Sequence, residues 1–272
     1  MILESIVIVG FALLLDFLIG DPKTKYHPTA WVGKLVAVLV PFVKNNSSKK
    51  ELVGGVFVVF TVVAIVSILL VALDIGISLL TVDIISLVVS VAVGTILLKT
   101  TIAIRGMQKH ALSVIDSLEN GDLDSARNRL SMIVKRNTKN LDKNQISSAV
   151  LQSVSENTVD GITGPLFYYA IFGLPGAFVY RAINTIDSMI GYKTSLFRNI
   201  GWFGANCDTI LNYIPSRLTG LVMILSALIL GYNWKESFYI MKRDGKKLES
   251  PNAGFPIAAL AGALGTKLEK IN

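Results

Sequence analysis

Charge, cysteine and histidine are scarce in this chain, and each shortage excludes a class of protein. Only 17% of the 272 residues are charged and 52% are hydrophobic, a balance more apolar than that of ordinary soluble domains. Cys207 is the only cysteine, which excludes an intrachain disulfide and a thiolate metal cluster. The two histidines, His27 and His110, are far apart in the sequence and do not suggest a histidine-rich metal site. The composition therefore predicts an integral membrane protein.

The familiar nucleotide-binding patterns are missing as well. Neither GxxxxGK[ST] nor GxGxxG occurs, so a nucleotide would be held by less familiar means. The formal net charge is +7, but charges of both signs are mixed along residues 99–160. That mixture favours a solvated helical face over a nucleic-acid patch, and the excess of lysine suits a surface beside anionic lipid.

Long apolar runs are what the sequence has in abundance. Leu52–Leu73 carries no charge and Ile75–Leu98 carries only Asp83, and both exceed the roughly 20 residues that cross a bilayer. With only Asp74 between them, they predict a tight helical hairpin whose tip lies near Asp74, with Asp83 inside the second span. Ile2–Ile19 lacks the charged start and cleavage site of a secretory signal and is predicted to be a retained helix.

The distribution of lysine predicts the orientation. No Lys or Arg precedes the first helix, whereas six lysines follow it between residues 20 and 51, which places that segment in the cytoplasm by the positive-inside rule. The hairpin leaves and returns, so residues 99–160 are also predicted to be cytoplasmic. Apolar residues at helical spacing predict that this insert is helical. A helix stop and start is expected at Asn120-Gly121-Asp122, after which Leu123–Lys135 resumes the helical period.

These patterns predict an all-α, polytopic integral membrane protein with a helical cytoplasmic insert. Three segments are expected: a membrane region at 1–98, the insert at 99–160, and a membrane-associated region with broken helices at 161–272. In the last segment, Gly164-Pro165 and Gly173-Leu174-Pro175-Gly176 interrupt the apolar run. A re-entrant or broken-helix arrangement is preferred there, because it keeps the polar motifs at the cytoplasmic face and non-helical backbone is tolerated where it lines a cavity.

The stretch Glu156–Arg217 sets charged and amide side chains in this apolar background. A charged residue at the centre of a bilayer costs roughly 2.5–3.5 kcal/mol on insertion scales, so such residues usually face a protein interior or a watery cavity. The stretch therefore indicates a polar site at the membrane.

Four separated blocks of residues carry a resemblance to a known family. The blocks are Leu15-Asp16 through Gly20-Asp21-Pro22 to His27-Pro28 and Gly33; Glu156-Asn157-Thr158 with Asp160-Gly161 and Pro165-Leu166-Phe167; Asn184–Tyr192 with Gly201-Trp202, Asp208 and Ile214–Leu218; and Arg243-Asp244 with Ser250–Pro256 and Ala261–Gly265. In this order they resemble the adenosylcobinamide-phosphate synthase family of cobalamin biosynthesis. Four ordered blocks are far more specific than one short motif.

The resemblance implies a multi-pass enzyme of the cell membrane whose active site faces the cytoplasm. Members of the family use ATP to join a carboxylate of adenosylcobyric acid to the amine of (R)-1-amino-2-propanol O-phosphate, which gives adenosylcobinamide phosphate. Because a carboxylate must first gain a good leaving group, an acyl phosphate intermediate is our hypothesis. The implied cofactors are ATP and Mg²⁺.

Such a site needs carboxylates for Mg²⁺ and cationic groups for phosphate. The predicted catalytic residues, which are also the predicted Mg²⁺ ligands, are Glu156, Asp160 and Asp187. The predicted substrate- and phosphate-binding residues are His27, Asn157, Arg181, Asn184, Lys193, Arg198, Arg217, Arg243 and Asn252. Spacing supports two groups: Glu156 and Asp160 share a face of a continuous helix, and Arg181, Asn184 and Asp187 form a polar stripe that continues to Gly191.

Most of these residues also have a structural interpretation. Glu156 suits a helix end and Asp160 the cap of the next helix, while Asn184 and Asp187 suit a buried polar pair between helices. The remaining cations have similar alternatives. Lys193 and Arg198 suit interface anchors, Arg217 suits a snorkelling side chain, and Arg243-Asp244 suits a neighbouring ion pair, whereas His27 either lines the site or belongs to a polar loop.

Two functions of other classes stay open. One is a non-catalytic membrane scaffold for cobamide assembly enzymes, and the other is a small transporter built on broken helices. Expected partners are the two substrates, membrane lipid, and either a second copy of the chain or other cobamide assembly enzymes, but no nucleic acid. Members of the family commonly continue beyond the point that matches Gly265, so a shortened form is also expected.

Overall fold

The computed structural model describes residues 2–134 and 136–269 and confirms the predicted all-α class, since no strand occurs within those ranges. Four helices are long and apolar enough to cross a membrane, or up to five if two shorter ones make one span. The candidate spans are Ile2–Ile19, Ser48–Ser78, one within Asp83–Glu119, one within Lys143–Ile190, and the pair Trp202–Leu211 with Tyr213–Ile229.

The described residues form twelve α-helices and two short helical turns. The helices are α1 Ile2–Ile19, α2 Pro28–Val43, α3 Ser48–Ser78, α4 Asp83–Lys99, α5 Ile104–Glu119, α6 Leu123–Leu130, α7 Lys143–Thr158, α8 Gly164–Ile190, α9 Trp202–Leu211, α10 Tyr213–Ile229, α11 Trp234–Asp244 and α12 Gly254–Leu264. A 3₁₀ turn covers Thr24–Tyr26 and a π-turn covers Val159–Thr163.

The chain divides into two compact units. Unit 1 contains α1 to α4, α8 and α9, and unit 2 contains α5 to α7 and α10 to α12. The three expected segments, 1–98, 99–160 and 161–272, are each continuous in sequence, but the units are not: the last segment contributes to both. The boundaries of the segments in a membrane stay predictions. Met1, Lys135 and residues 270–272 lie outside the described residues.

Unit 1 is built around α3, which packs against α2, α8 and α9, while α1 packs against α4. Val36 of α2, Val58 and Val62 of α3, and Ile186 of α8 are fully buried in its core. The outward faces of α1 and α3 are apolar and exposed, as expected for helices that meet lipid.

The predicted hairpin is present, but the position of its tip was wrong. α3 continues past Asp74 to Ser78, and the turn occupies residues 79–82. Asp83 is therefore the exposed first residue of α4 and lies at the end of the candidate span. A carboxylate in the first turn of a helix is stabilised by the helix dipole, which explains why a new helix begins at Asp83.

α2 is a helix that the sequence analysis did not predict. Pro28 occupies its first turn, where the fixed φ of proline suits a helix start. At 16 residues it is shorter than the roughly 20 residues of a typical span.

The predicted break within the third segment is present in α8. Gly173 has φ 64° and ψ −156°, a conformation open mainly to glycine. The two parts of the helix, 164–172 and 174–190, fold back on one another. A Cβ on Gly176 would lie 2.4 Å from the carbonyl oxygen of Tyr168, and the rings of Tyr168 and Tyr180 stack with centroids 5.2 Å apart.

This hairpin in α8 determines where the residues after Tyr180 lie. Gly164 lies so near Tyr180 that an added Cβ would be 2.2 Å from a ring carbon. The residues that follow Tyr180 therefore begin at the same end of the hairpin as Gly164, which is the broken-helix geometry that the sequence analysis preferred.

Within unit 2, α5, α6 and α7 pack around the buried residues Val114, Leu130 and Ile146. The predicted stop and start is confirmed: α5 ends at Glu119, and the Asp122 carboxylate caps α6 by accepting from Ser125 N at 2.9 Å. α6 ends at Leu130, earlier than expected. α10, α11 and α12 pack against one another, and α12 also packs against α7.

Candidate active site

Four ionisable side chains meet in unit 1 where α1 and α4 end. Lys99 Nζ lies 3.1 Å from Asp21 Oδ1 and 3.5 Å from Asp16 Oδ1, and His27 Nε2 lies 3.8 Å from Asp21 Oδ1. Asp16 is fully buried and Lys99 is 6% exposed. Burial of the Lys99 ammonium group costs free energy of desolvation, and attraction to the two carboxylates offsets that cost.

The charges in this cluster act on one another. Burial raises the pKa of Asp21, but the hydrogen bond to His27 and the charge of Lys99 outweigh burial, so its pKa lies below the usual range. His27 Nδ1 is buried and has no hydrogen-bond partner within the described part of the chain.

Of this cluster, only His27 was a predicted site residue. A single lysine at the end of an apolar span looks like an ordinary interface anchor, so nothing local singled out Lys99. Its partners Asp16 and Asp21 belong to the first family block, which was the one available signal.

The predicted polar stripe on α8 is confirmed in part. Arg181 Nη1 donates to Asn184 Oδ1 at 3.1 Å, and Asn184 Nδ2 donates to Asp208 Oδ1 of α9 at 3.2 Å. Asn184 therefore both orients the guanidinium and joins two helices. Asp187 lies one turn further on, where a Cβ on Gly191 would be only 2.0 Å from its Oδ1, so this glycine lets the carboxylate lie against the backbone.

The two predicted cations beyond the stripe share a cavity. Lys193 and Arg198 line a space of about 550 Å³ together with Tyr192, Trp202 and Asn206. The residues that line this cavity do not include Arg181, Asn184 or Asp208, which form the hydrogen-bond chain described above.

Two of the three predicted acids, Glu156 and Asp160, belong to unit 2 and lie where α7 leads into the π-turn. Glu156 is half-buried in the last turn of α7, and its charge acts on Arg136; burial lowers the pKa of that guanidinium and Glu156 opposes the effect. Asp160 is half-buried inside the π-turn that leads into α8. The expected shared face of Glu156 and Asp160 stays a prediction, because the helix widens into the π-turn between them. Such turns are frequent at functional sites.

Asn157 has an exposed position in the same turn of α7. Its side-chain amide donates to Ser153 O at 2.8 Å and Ser153 Oγ at 3.1 Å. Its role as a substrate contact stays a prediction.

Arg217 and Asn252, both predicted substrate contacts, are brought together in unit 2. Arg217 Nη1 donates to Asn252 Oδ1 at 3.3 Å. The guanidinium lies over the rings of Tyr213 and Phe255, with centroid distances of 3.5 and 4.2 Å. This aromatic clamp fixes the plane of the guanidinium, so the side chain is pre-oriented.

Arg243 forms an ion pair with its sequence neighbour Asp244, as its structural interpretation predicted. Its Nε and Nη2 donate to the two carboxylate oxygens of Asp244 at 2.9 and 2.6 Å. These bonds hold the pKa of Asp244 below its usual range. Arg243 itself is exposed.

Magnesium binding stays a prediction. Among the described residues, no three Cys, His, Asp or Glu side chains gather closely enough to hold a metal ion by themselves. Mg²⁺ bound to nucleotide phosphates needs only one or two protein carboxylates. Glu156 and Asp160 of unit 2 and Asp187 of unit 1 have the right chemistry for that smaller role.

Comparisons with known proteins agree with the resemblance seen in the sequence. The family model described as CobD/Cbib protein matches residues 9–272. A probable cobalamin biosynthesis protein CobD of Methanothermobacter thermautotrophicus is 40% identical over 268 residues, covering 98% of this chain and 85% of that protein.

Two further relatives are named cobalamin biosynthesis protein CobD. The one from Leptospira interrogans is 42% identical and covers 97% of this chain and 82% of its own length, and the one from Clostridium perfringens is 40% identical and covers 98% and 82%. No solved structure matches. With four ordered motif blocks and a family match over nearly its whole length, the chain belongs to the CobD/Cbib protein family.

Proposed function

We propose that the chain is a membrane-bound, ATP-dependent ligase of cobalamin biosynthesis. It joins adenosylcobyric acid to (R)-1-amino-2-propanol O-phosphate and forms adenosylcobinamide phosphate. The names of the relatives support the pathway. The observation that carries the finer proposal is the aromatic clamp on Arg217, which presents an oriented guanidinium to a phosphate group.

The chemistry sets what the site must do. A carboxylate oxygen of adenosylcobyric acid attacks the γ-phosphorus of ATP, and ADP leaves. The amine nitrogen then attacks the carbonyl carbon of the acyl phosphate, a C–N bond forms, inorganic phosphate leaves and the amine loses a proton to a base. Phosphoryl transfer of this kind depends mainly on positioning and charge stabilisation.

Two guanidiniums of the chain suit the phosphate groups. Arg217 is clamped between rings and bonded to Asn252, and Arg181 is held by Asn184, which Asp208 in turn holds. An oriented guanidinium binds two phosphate oxygens at once with little loss of side-chain entropy. Because each is fixed by neighbours, each would bind substrate phosphate without first being ordered.

The acids would hold the metal. Glu156 and Asp160 of unit 2, and independently Asp187 of unit 1, are the carboxylates that we propose for Mg²⁺ binding; the bound ion would neutralise charge on the nucleotide phosphates. His27, with Nε2 beside Asp21 and Nδ1 buried, is the proposed substrate contact from the N-terminal block.

The proposed cytoplasmic site agrees with the internal geometry of unit 1. The loop after α1 and the end of α4 meet at Lys99 and Asp21, 3.1 Å apart, so both ends lie on one side. The positive-inside rule assigns that side to the cytoplasm, where ATP is available.

The test uses the full chain purified in detergent with ATP, Mg²⁺, adenosylcobyric acid and aminopropanol phosphate. ADP release and the corrinoid product are followed by mass spectrometry for the parent, Asp160→Asn and Asp124→Asn. We expect product from the parent and from Asp124→Asn, and a loss on the order of 10²-fold for Asp160→Asn, the size typical for removal of one charge-stabilising group.

Asp124 is a matched control because it is an exposed carboxylate of unit 2. Equal melting temperatures of the two variants would exclude misfolding as the cause of a loss. Folded parent protein that releases neither ADP nor product would overturn the ligase and favour the membrane scaffold; counterflow of substrate in liposomes would favour the transporter.

A further inference from the structure

Lys193 and Arg198 were predicted to bind phosphate, but the proposed ligase chemistry assigns that role to Arg181 and Arg217 and leaves their cavity without one. The cavity measures about 550 Å³ and lies between the loop 191–201 and α9, with Asn206 and Thr209 on the α9 side. None of the described residues that line it is acidic. Two cations with amide and hydroxyl groups make a pocket suited to a phosphate ester.

A second cavity of about 390 Å³ adjoins the first. Leu52, Val53 and Val56 of α3 form its apolar side. Arg198 and Trp202 line both cavities, so the cationic pocket and the apolar groove share these two side chains. The groove runs along the first turns of α3, a helix long and apolar enough to cross a membrane.

The loop that carries the cations is anchored to the start of α3. Asn199 Nδ2 donates to Glu51 Oε2 at 3.1 Å, and the other oxygen of Glu51 pairs with Lys44 Nζ at 2.7 Å. Lys44 also donates to the carbonyl of Leu196. Gly201 lies so close to Ile190 that an added Cβ would be 1.8 Å from its carbonyl oxygen. The pocket is therefore held open by its surroundings.

We propose that the two cavities form one site for an anionic phospholipid. The headgroup phosphate lies between Lys193 and Arg198, and one acyl chain follows the groove along Val53 and Val56. Lys and Arg near a membrane surface attract anionic lipid. Tryptophan favours the membrane interface, and Trp202 lines both the pocket and the groove. A soluble phosphate ester would use the cations but not the groove.

Native mass spectrometry of the detergent-purified full chain tests the charge requirement. Phosphatidylglycerol or phosphatidylcholine of the same acyl length is added, and bound lipid is counted for the parent, Arg198→Gln and Lys23→Gln. We expect the parent to retain phosphatidylglycerol in preference, and Arg198→Gln to retain about fivefold less, the effect of one cation at a membrane surface. Lys23 is an exposed lysine of unit 1 and its variant should behave as the parent.

Equal retention of both lipids by the parent, or an equal loss in Lys23→Gln, would overturn the proposal. A second pair of variants tests the groove: Val53→Trp fills it, whereas Phe57→Trp alters an exposed position of α3 outside its lining. Only Val53→Trp should lower phosphatidylglycerol retention.

Glycerol 3-phosphate distinguishes a lipid from a free phosphate ester. We expect it not to displace bound phosphatidylglycerol, because it has no acyl chain. If it displaces the lipid and Val53→Trp has no effect, the pocket binds the phosphate of a soluble substrate instead, and the lipid site is wrong. None of these readouts depends on ligase activity.

Discussion

The two units handle charge in opposite ways. Unit 1 buries it: Asp16 is inaccessible, Lys99 nearly so, and both belong to one cluster. Unit 2 carries ion pairs such as Asp124–Arg127 at its surface. Because a surface pair contributes little whereas a buried charge that loses its partner is strongly destabilising, the difference locates where a single substitution should do the most damage.

Neutral hydrogen bonds serve inside unit 2 instead. Ser237 Oγ donates to the carbonyl of Ala259 at 2.7 Å in the packed interior of α11 and α12. Gln152 Nε2 donates to the carbonyl of Glu269 at 2.8 Å. Such bonds contribute roughly 1 kcal/mol each, so the loss of one should be tolerated more easily than the loss of a buried charge.

The largest expected effect is that of Lys99→Met. It removes the cation and leaves the buried carboxylate of Asp16 and the nearby Asp21 uncompensated, so we expect a loss of about 3–5 kcal/mol in the free energy of unfolding. Denaturant unfolding of the detergent-purified protein, followed by far-UV circular dichroism, measures it.

Two further variants test the cause. Lys99→Met combined with Asp16→Asn should recover part of the stability, because the double variant no longer buries a lone charge. Asp124→Asn should cost about 0.5 kcal/mol or less. If Lys99→Met proves as mild as Asp124→Asn, the contrast between the two units is wrong.

An intermediate effect is expected for Ser237→Ala. The substitution removes the hydroxyl that donates to Ala259 without creating a buried charge, so about 1 kcal/mol should be lost in the same unfolding measurement. Ser131 offers the control, since its hydroxyl makes a similar bond to Asn128 at an exposed position of unit 2. A loss for Ser131→Ala as large as for Ser237→Ala would contradict the role of burial.

The smallest effect should appear in the pH dependence of stability through Asp21. Its folded pKa is depressed under the influence of His27 and Lys99. Its contribution is therefore full above the ordinary carboxyl pKa of about 4 and is lost as the pH falls through the lower folded value. The stability advantage of the parent over Asp21→Asn should narrow below about pH 4. An advantage that stays constant from pH 6 to pH 3 would show that Asp21 is not paired in this way.

Local features of the sequence were predicted well because their causes are local. α1 has the predicted bounds, and Gly121 and Asp122 end one helix and cap the next as their residue types require. The break at Gly173 also follows from residue type. The hairpin tip was misplaced because apolar residues fill both the spans and the turn, and only the charge of Asp83 marks the new helix start.

The candidate site was predicted less completely, and the misses share a reason. Arg217 and Asn252 were named from the family motif, but their contact and the aromatic clamp depend on the packing of α10 against α12. Lys99 was missed because its carboxylate partners are remote in sequence. The π-turn that contains Asp160 was also missed, because no residue pattern indicates it.

The sequence by itself determined that the chain is apolar, helical and membrane-bound, and through its motif blocks which family it resembles, because hydropathy, helix period and motif order are properties of neighbouring residues. Only the tertiary structure decided which charges are buried together, how α8 folds back on itself, and that Arg198 links a cationic pocket to an apolar groove. Those outcomes depend on contacts between residues far apart in the chain, whose free energies exist only once the helices are packed.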